Sequence, residues 1–169
     1  MKNLVIIRHA KSSWDNPAWG DLERPLNERG KRDAPLMGRA LRERGVLPDL
    51  IMSSPAKRAR KTAIRIAEAV GYPEDRISVE PAIYLRGLHA LVDLIGTLPV
   101  SVERAFLIGH NPDLTELVEL LTGESIGNLP TCGMVSVEFA VDDWRAAAPA
   151  TGRLAFFDYP TRPRPAPLP

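Results

Sequence analysis

Three short runs of uninterrupted apolar residues recur along the chain: Leu4-Val5-Ile6-Ile7, Leu50-Ile51-Met52 behind Asp49, and Ala105-Phe106-Leu107-Ile108 between Arg104 and Gly109. A strand covered on both faces needs apolar side chains on both, so it loses the in–out alternation of a half-exposed strand. Helical periodicity follows the second and third runs. Ser54-Pro55 offers a preferred N-cap and a residue suited to the first helical position. Ala59, Ala63, Ile66, Ala67 and Val70 then fall on one face, up to Gly71. Asn111-Pro112 repeats that opening, with Leu114, Leu117, Val118 and Leu121 lining a helix that ends at Gly123. Leu88, Leu91, Val92 and Ile95 mark another helix, stopped by Gly96 to Pro99.

The remaining segments carry weaker signals. Asn27 to Arg44 has helical spacing at Met37, Ala40 and Leu41, but Gly30 and Pro35 interrupt it, which predicts a helix with an irregular first part. Ile77 to Glu80 reads as a short edge strand. Met134 to Val141 alternates and pairs with Arg153 to Phe157 through a turn near Asp142-Asp143. Strand–helix alternation of this kind predicts an α/β fold, a three-layer α/β/α sandwich around a mostly parallel sheet.

Composition narrows the function classes. The chain has 169 residues, 25% of them charged and 44% hydrophobic, as in an ordinary globular domain. A net charge of +1 gives no broad footprint for nucleic acid or a membrane surface. One cysteine, Cys132, rules out an intramolecular disulfide and suits a reducing compartment. Four apolar residues before Arg8 are too few for a signal core or a membrane span. The expectation is a cytoplasmic protein, a monomer or weak dimer. Residues 1–158 are expected to form one domain. Residues 159–169 form a tail with prolines at 160, 163, 165, 167 and 169, read as extended or as a packed arm.

Candidate chemistry gathers at one kind of place. Arg8-His9 follows the first apolar run, Ser54 to Arg58 the second and Gly109-His110 the third. In parallel α/β sheets the carboxyl ends of the strands form a common rim, where ligands bind. That rim would hold Arg8, His9, Arg58 and His110 together with two helix N-termini. Arginine forks and helix N-termini both favour an anion with several oxygens, and phosphate is the common one. His89 sits beside the apolar face of its helix with no motif and reads as structural, and Lys57, Arg60 and Lys61 read as a solvated face. No cluster has the spacing of a metal site, and no cofactor is called for.

Arg8-His9, then Ser54-x-x-x-Arg58-Ala59-x-x-Thr62-Ala63, then Gly109-His110 resembles the histidine phosphatase superfamily, which includes the cofactor-dependent phosphoglycerate mutases. With Ala10-Lys11-Ser12-Ser13-Trp14, the run Arg24 to Gly30, and Asn111-Pro112, the pattern is similar to its small SixA-type phosphohistidine phosphatase branch, over about residues 3 to 157. The resemblance implies a phosphoglycerate mutase-like fold. It implies that His9 becomes phosphorylated and that Arg8, Arg58 and His110 complete the phosphate pocket. Lys11, Ser12 and Ser13 follow the nucleophile and are candidate substrate contacts by adjacency alone.

Two positions depart from the family pattern. Ala10 stands where many members have glycine. More consequentially, Ile83-Tyr84-Leu85 occupies the place where many phosphoester-cleaving members carry an acidic proton donor. Glu80, Asp15 and Asp21 lie outside that pattern, and no acid is assigned. An alkoxide leaving group needs a proton from a general acid, whereas a protonated imidazole can still depart without one. The expected activity is therefore hydrolysis of phosphohistidine in proteins through a phosphohistidine on His9. A small-molecule phosphomonoester phosphatase and a non-catalytic phosphate-binding module are the alternatives. The partner is a phosphorylated protein or a small phosphorylated molecule.

Overall fold

The computed structural model describes residues 1–164; the end of the proline-rich tail, 165–169, lies outside them. A six-stranded sheet runs through the molecule in the order β3-β2-β4-β1-β5-β6. Strands β1 (Lys2–Arg8), β2 (Leu50–Ser53), β3 (Ser78–Val79) and β4 (Arg104–Gly109) are parallel. Strands β5 (Met134–Phe139) and β6 (Gly152–Asp158) continue the sheet antiparallel beyond β1. Leu4 to Ile7 and Ala105 to Ile108 are fully buried, as their unbroken apolar runs require.

Two helices cover each face. On one, α1 (Glu28–Glu43) and α2 (Lys57–Val70) pack Met37, Leu41 and Ile66 against Val5, Ile7, Ile51 and Phe106. On the other, α3 (Gly87–Gly96) and α4 (Asp113–Thr122) pack Leu91, Ile95, Leu114 and Leu117 against Leu4, Ile6, Met52 and Leu107. Truncating a buried aromatic such as Phe106 to alanine would cost about 3–5 kcal/mol.

Several local expectations change. α1 is a continuous helix: Asn27 caps it by accepting from the Gly30 N–H at 2.9 Å, and Pro35 is absorbed in mid-helix. Gly30 answers a close approach instead, since a Cβ there would lie 2.1 Å from the Lys11 carbonyl oxygen. α2 begins at Lys57, after Ser54-Pro55, because the Ser54 hydroxyl accepts from the Ala56 N–H at 3.1 Å and braces a bend. The connection between β5 and β6 is longer than a turn at Asp142-Asp143 and contains a 3-10 turn, Trp144–Ala146, that buries Trp144. α4 likewise begins one residue later than expected, at Asp113 after Pro112, and Asn111 braces its first turn by accepting from the Thr115 N–H at 3.1 Å. In the described part of the tail, Arg164 reaches back to Asp158 at 3.1 Å.

Candidate active site

Strand register sets the site. Arg8 lies opposite Gly109 and Ser53 opposite Ile108, so His9, Ser54 and His110 leave three neighbouring strands at one level. Two further backbone bonds extend the ladder past the strand ends: His9 N–H to Gly109 O and Ser54 N–H to Ile108 O, both 3.0 Å. The imidazoles of His9 and His110 then stand 5.1 Å apart, centre to centre. Arg58 enters from the first turn of α2 and lies 3.4 Å from His110 Nδ1 through Nη2. Arg8, His9, Arg58 and His110 thus line one cavity of about 450 Å3.

His9 is 9% exposed and sits at the cavity floor. Its Nδ1 lies 2.7 Å from the Ala10 carbonyl oxygen. A carbonyl only accepts, so Nδ1 carries the ring proton and Nε2 keeps its lone pair. Burial, and then the charges of Arg58, Arg8 and Arg24, push the His9 pKa down to about 4, which holds the ring neutral at ordinary pH. The loop that carries this ring is pinned from two sides. The Ala10 N–H donates to Thr62 Oγ1 at 3.0 Å, and Thr62 in turn donates to the Arg58 carbonyl at 2.8 Å. The Asn27 N–H donates to Lys11 O at 3.0 Å, where glycine at position 30 admits the approach.

His110 is held in a complementary state. Arg58 is a donor only, so His110 Nδ1 accepts, and Nε2–H donates to Ser54 Oγ at 2.7 Å. Burial, followed by His9 and Arg58, lowers its pKa to about 3. Arg8 donates through Nη1 to Leu129 O at 3.0 Å, while its Nε and that of Arg58 are buried without a partner among the described residues. Buried donors of this kind ask for an acceptor from outside the chain.

Three more side chains complete the cavity that strand-end reasoning did not assign: Asp21, Arg24 and Tyr84. Arg24 is buried beneath Trp14, its guanidinium carbon 3.3 Å from the ring centre, and donates to Ser13 O at 3.2 Å and to Ser12 Oγ. Asp21 pairs with Arg58 at 3.0 Å and Arg24 at 3.2 Å and accepts from the Tyr84 hydroxyl. Asp21 and Arg24 come from a loop with a 3-10 turn, and Tyr84 follows another, where no hydrophobic period signals position. Arg24 alone had a signal, as the first residue of the run through Gly30. Lys11 and Ser12 line the cavity; Ser13 does not, facing a separate cleft with Asp15, Pro25 and Asn27. The antiparallel contact of Ser12 with Leu26 accounts for this, because neighbours along an extended segment face opposite sides. His89 is exposed on α3, away from the site.

Along Ile83-Tyr84-Leu85, Ile83 is buried in the core, Leu85 is exposed, and Tyr84 turns to Asp21. Among the described residues Asp21 is the one carboxylate lining this cavity. Although burial opposes its charge, hydrogen bonds from Tyr84 and Arg58 and the charge of Arg58 hold its pKa down to about 2. It is ionised at neutral pH and has no proton to give.

Residues 4–83 match the model of the histidine phosphatase superfamily, branch 1. The chain belongs to that superfamily. Its members work through a phosphorylated histidine, and the protein is a phosphatase that acts on a phosphorylated substrate. An uncharacterized chloroplastic protein of Arabidopsis thaliana is 30% identical over 161 residues, 89% of this chain and 72% of that one. Phosphoserine phosphatase 1 of Hydrogenobacter thermophilus is 43% identical over 83 residues, 46% of this chain but only 38% of that enzyme. The fold matches the protein histidine phosphatase SixA solved with tungstate, with a TM-score of 0.80 and 24% identity over 94% of this chain and 97% of that one. A SixA protein of Agrobacterium tumefaciens gives 0.78 and 27% identity over 94% and 98%. The three-layer, phosphoglycerate mutase-like architecture expected from the sequence is therefore the observed one. Among the described residues no helix is long and apolar enough to cross a membrane.

Proposed function

We propose that this phosphatase removes the phosphoryl group from phosphohistidine in proteins, with His9 as nucleophile and Arg8, Arg58 and His110 as the phosphoryl pocket. One observation carries the substrate class: Asp21, the one carboxylate at the cavity among the described residues, is clamped ionised by Arg58, Arg24 and Tyr84. An alkoxide has no carboxylic acid to protonate it here, whereas an imidazole protonated on its far nitrogen departs neutral. Similarity to the SixA structures supports the same class.

In the first step His9 Nε2 attacks phosphorus in line with the departing nitrogen. Negative charge on the equatorial oxygens is met by Arg8 and Arg58. His110 accepts from Arg58 through Nδ1 and so holds that guanidinium in the phosphoryl pocket. In the second step water attacks the phosphoryl group on His9, releasing phosphate and restoring the neutral ring. Lys11 and Ser12 are close enough to the cavity to touch the substrate. We take residues 1–158 as the working unit, a cytoplasmic monomer or weak dimer, in keeping with a lone buried Cys132.

The test is a comparison of kcat/KM for phosphohistidine and for simple alkyl phosphates. The expected advantage of phosphohistidine is at least about 10²-fold, the lower end of what a general acid contributes. An alkyl or sugar phosphate hydrolysed equally well would give the role to a small-molecule phosphomonoester phosphatase.

A further inference from the structure

Asp21 lines the cavity from its outer side. Its side chain is 47% exposed, against 9% for His9 as a whole, so the carboxylate is at the mouth and the nucleophile on the floor. In-line displacement puts entering and departing groups on opposite sides of phosphorus. A group expelled by His9 therefore leaves toward the mouth.

The carboxylate is fixed there but not saturated. Oδ2 accepts from Arg58 Nη2 at 3.0 Å and from the Tyr84 hydroxyl, while Oδ1 accepts only from Arg24 Nη1 at 3.2 Å. Arg58 Nη1 is bound separately, by the Asp21 backbone carbonyl at 2.6 Å. A carboxylate has about four acceptor positions, so one on Oδ1 is left for a ligand.

We infer that Asp21 selects the leaving group: its Oδ1 accepts a hydrogen bond from the second ring nitrogen of the substrate phosphohistidine and keeps that nitrogen protonated during transfer. The inference rests on the reading of phosphohistidine as substrate. The P–N bond of the substrate breaks and its electron pair stays on the departing nitrogen. The other nitrogen keeps its proton, and a neutral imidazole leaves. The new bond joins phosphorus to His9 Nε2, and no proton has to be moved in the step. The same fixed negative charge opposes a phenolate or alkoxide, which departs with its own negative charge. The cavity thus discriminates by the charge of what leaves, in addition to lacking an acid.

Asp21→Asn separates this role from that of holding Arg58, since it keeps a side-chain oxygen for the arginines and leaves the backbone carbonyl in place. For the variant, kcat/KM on free phosphohistidine should fall by about tenfold or more, the effect of one pKa unit on the leaving ring. On p-nitrophenyl phosphate it should rise. Vanadate affinity, measured alongside, reports whether the phosphoryl pocket still forms. A fall on both substrates in equal proportion, with weaker vanadate binding, would show that Asp21 only positions Arg58 and would overturn the inference. Wild-type enzyme inactive on phosphohistidine would instead remove the substrate reading itself.

Discussion

Two cavities of similar size open at opposite ends of the same sheet. The one at the carboxyl ends of the parallel strands measures about 450 Å3, and the one at their amino ends about 410 Å3. Volume does not tell them apart; charge does. The first is lined by Arg8, Lys11, Arg24 and Arg58 against Asp21, and two of its buried guanidinium nitrogens have no partner among the described residues. The second is lined by Arg104 and Met1 against Asp49, Glu103 and Glu138, and its arginine is partly engaged within the chain. Arg104 gives Nε to Asn3 Oδ1 at 2.6 Å and Nη1 to Leu47 O at 3.2 Å, and Arg153 pairs with Glu138. An oxyanion meets an excess of cationic side chains at one end and an excess of carboxylates at the other. The difference follows from topology, since loops leaving parallel strands at their carboxyl ends deliver side chains no ladder has claimed.

The sharpest way to break this contrast is to remove His9, the proposed nucleophile. His9→Ala should lower turnover by at least about 10³-fold, the scale on which single nucleophiles act. It should abolish an acid-labile phosphoenzyme while leaving part of the affinity for vanadate, because Arg8 and Arg58 remain. Acid-labile phosphate recovered on another residue of the wild type would remove His9 from its role.

Next in size is the loss of one fork of the pocket. Arg58→Ala deletes a charge-assisted donor worth about 1.5–3 kcal/mol, and vanadate binding should weaken by about 10–100-fold. Asp21, whose pKa Arg58 helps to depress, should also titrate higher in the variant. Binding within about twofold of wild type, inside the scatter of such contributions, would mean that the anion rests on Arg8 and Arg24 instead.

How much of this was legible in the sequence divides along the same line. Leu4 to Ile7 and Ala105 to Ile108 announce buried strands because burial on both faces leaves no polar alternative. Residues fixed by those strands, Arg8, His9 and His110, were readable for the same reason, and Arg58 because it opens the next helix. Pro35 misled, since a proline can be carried inside a helix once flanking packing supplies what its missing hydrogen bond does not. Asp21 and Tyr84 could not be assigned: they reach the cavity from loops whose course depends on where Arg58 ends up. The sequence signals of the mouth are thus weaker than those of the floor. The floor is set by strand register, and the mouth by side chains meeting across long separations.

The smallest effect is expected at the acidic end, and it tests whether the two cavities are independent. Asp49 Oδ2 accepts from the backbone N–H groups of Glu103 and Arg104, each at 3.0 Å, and so ties the entry of β2 to that of β4. Asp49 is exposed, so water can replace the lost acceptor in Asp49→Ala. Denaturant unfolding should show a loss of about 1 kcal/mol, the ordinary net value of such bonds. Because His9, Arg58 and His110 take their positions from the other ends of these strands, kcat/KM should stay within about twofold of wild type, as for distant independent sites. A tenfold loss of activity at unchanged stability would mean that strand position is transmitted along the whole sheet, and the acidic cavity would have to be counted as part of the catalytic apparatus.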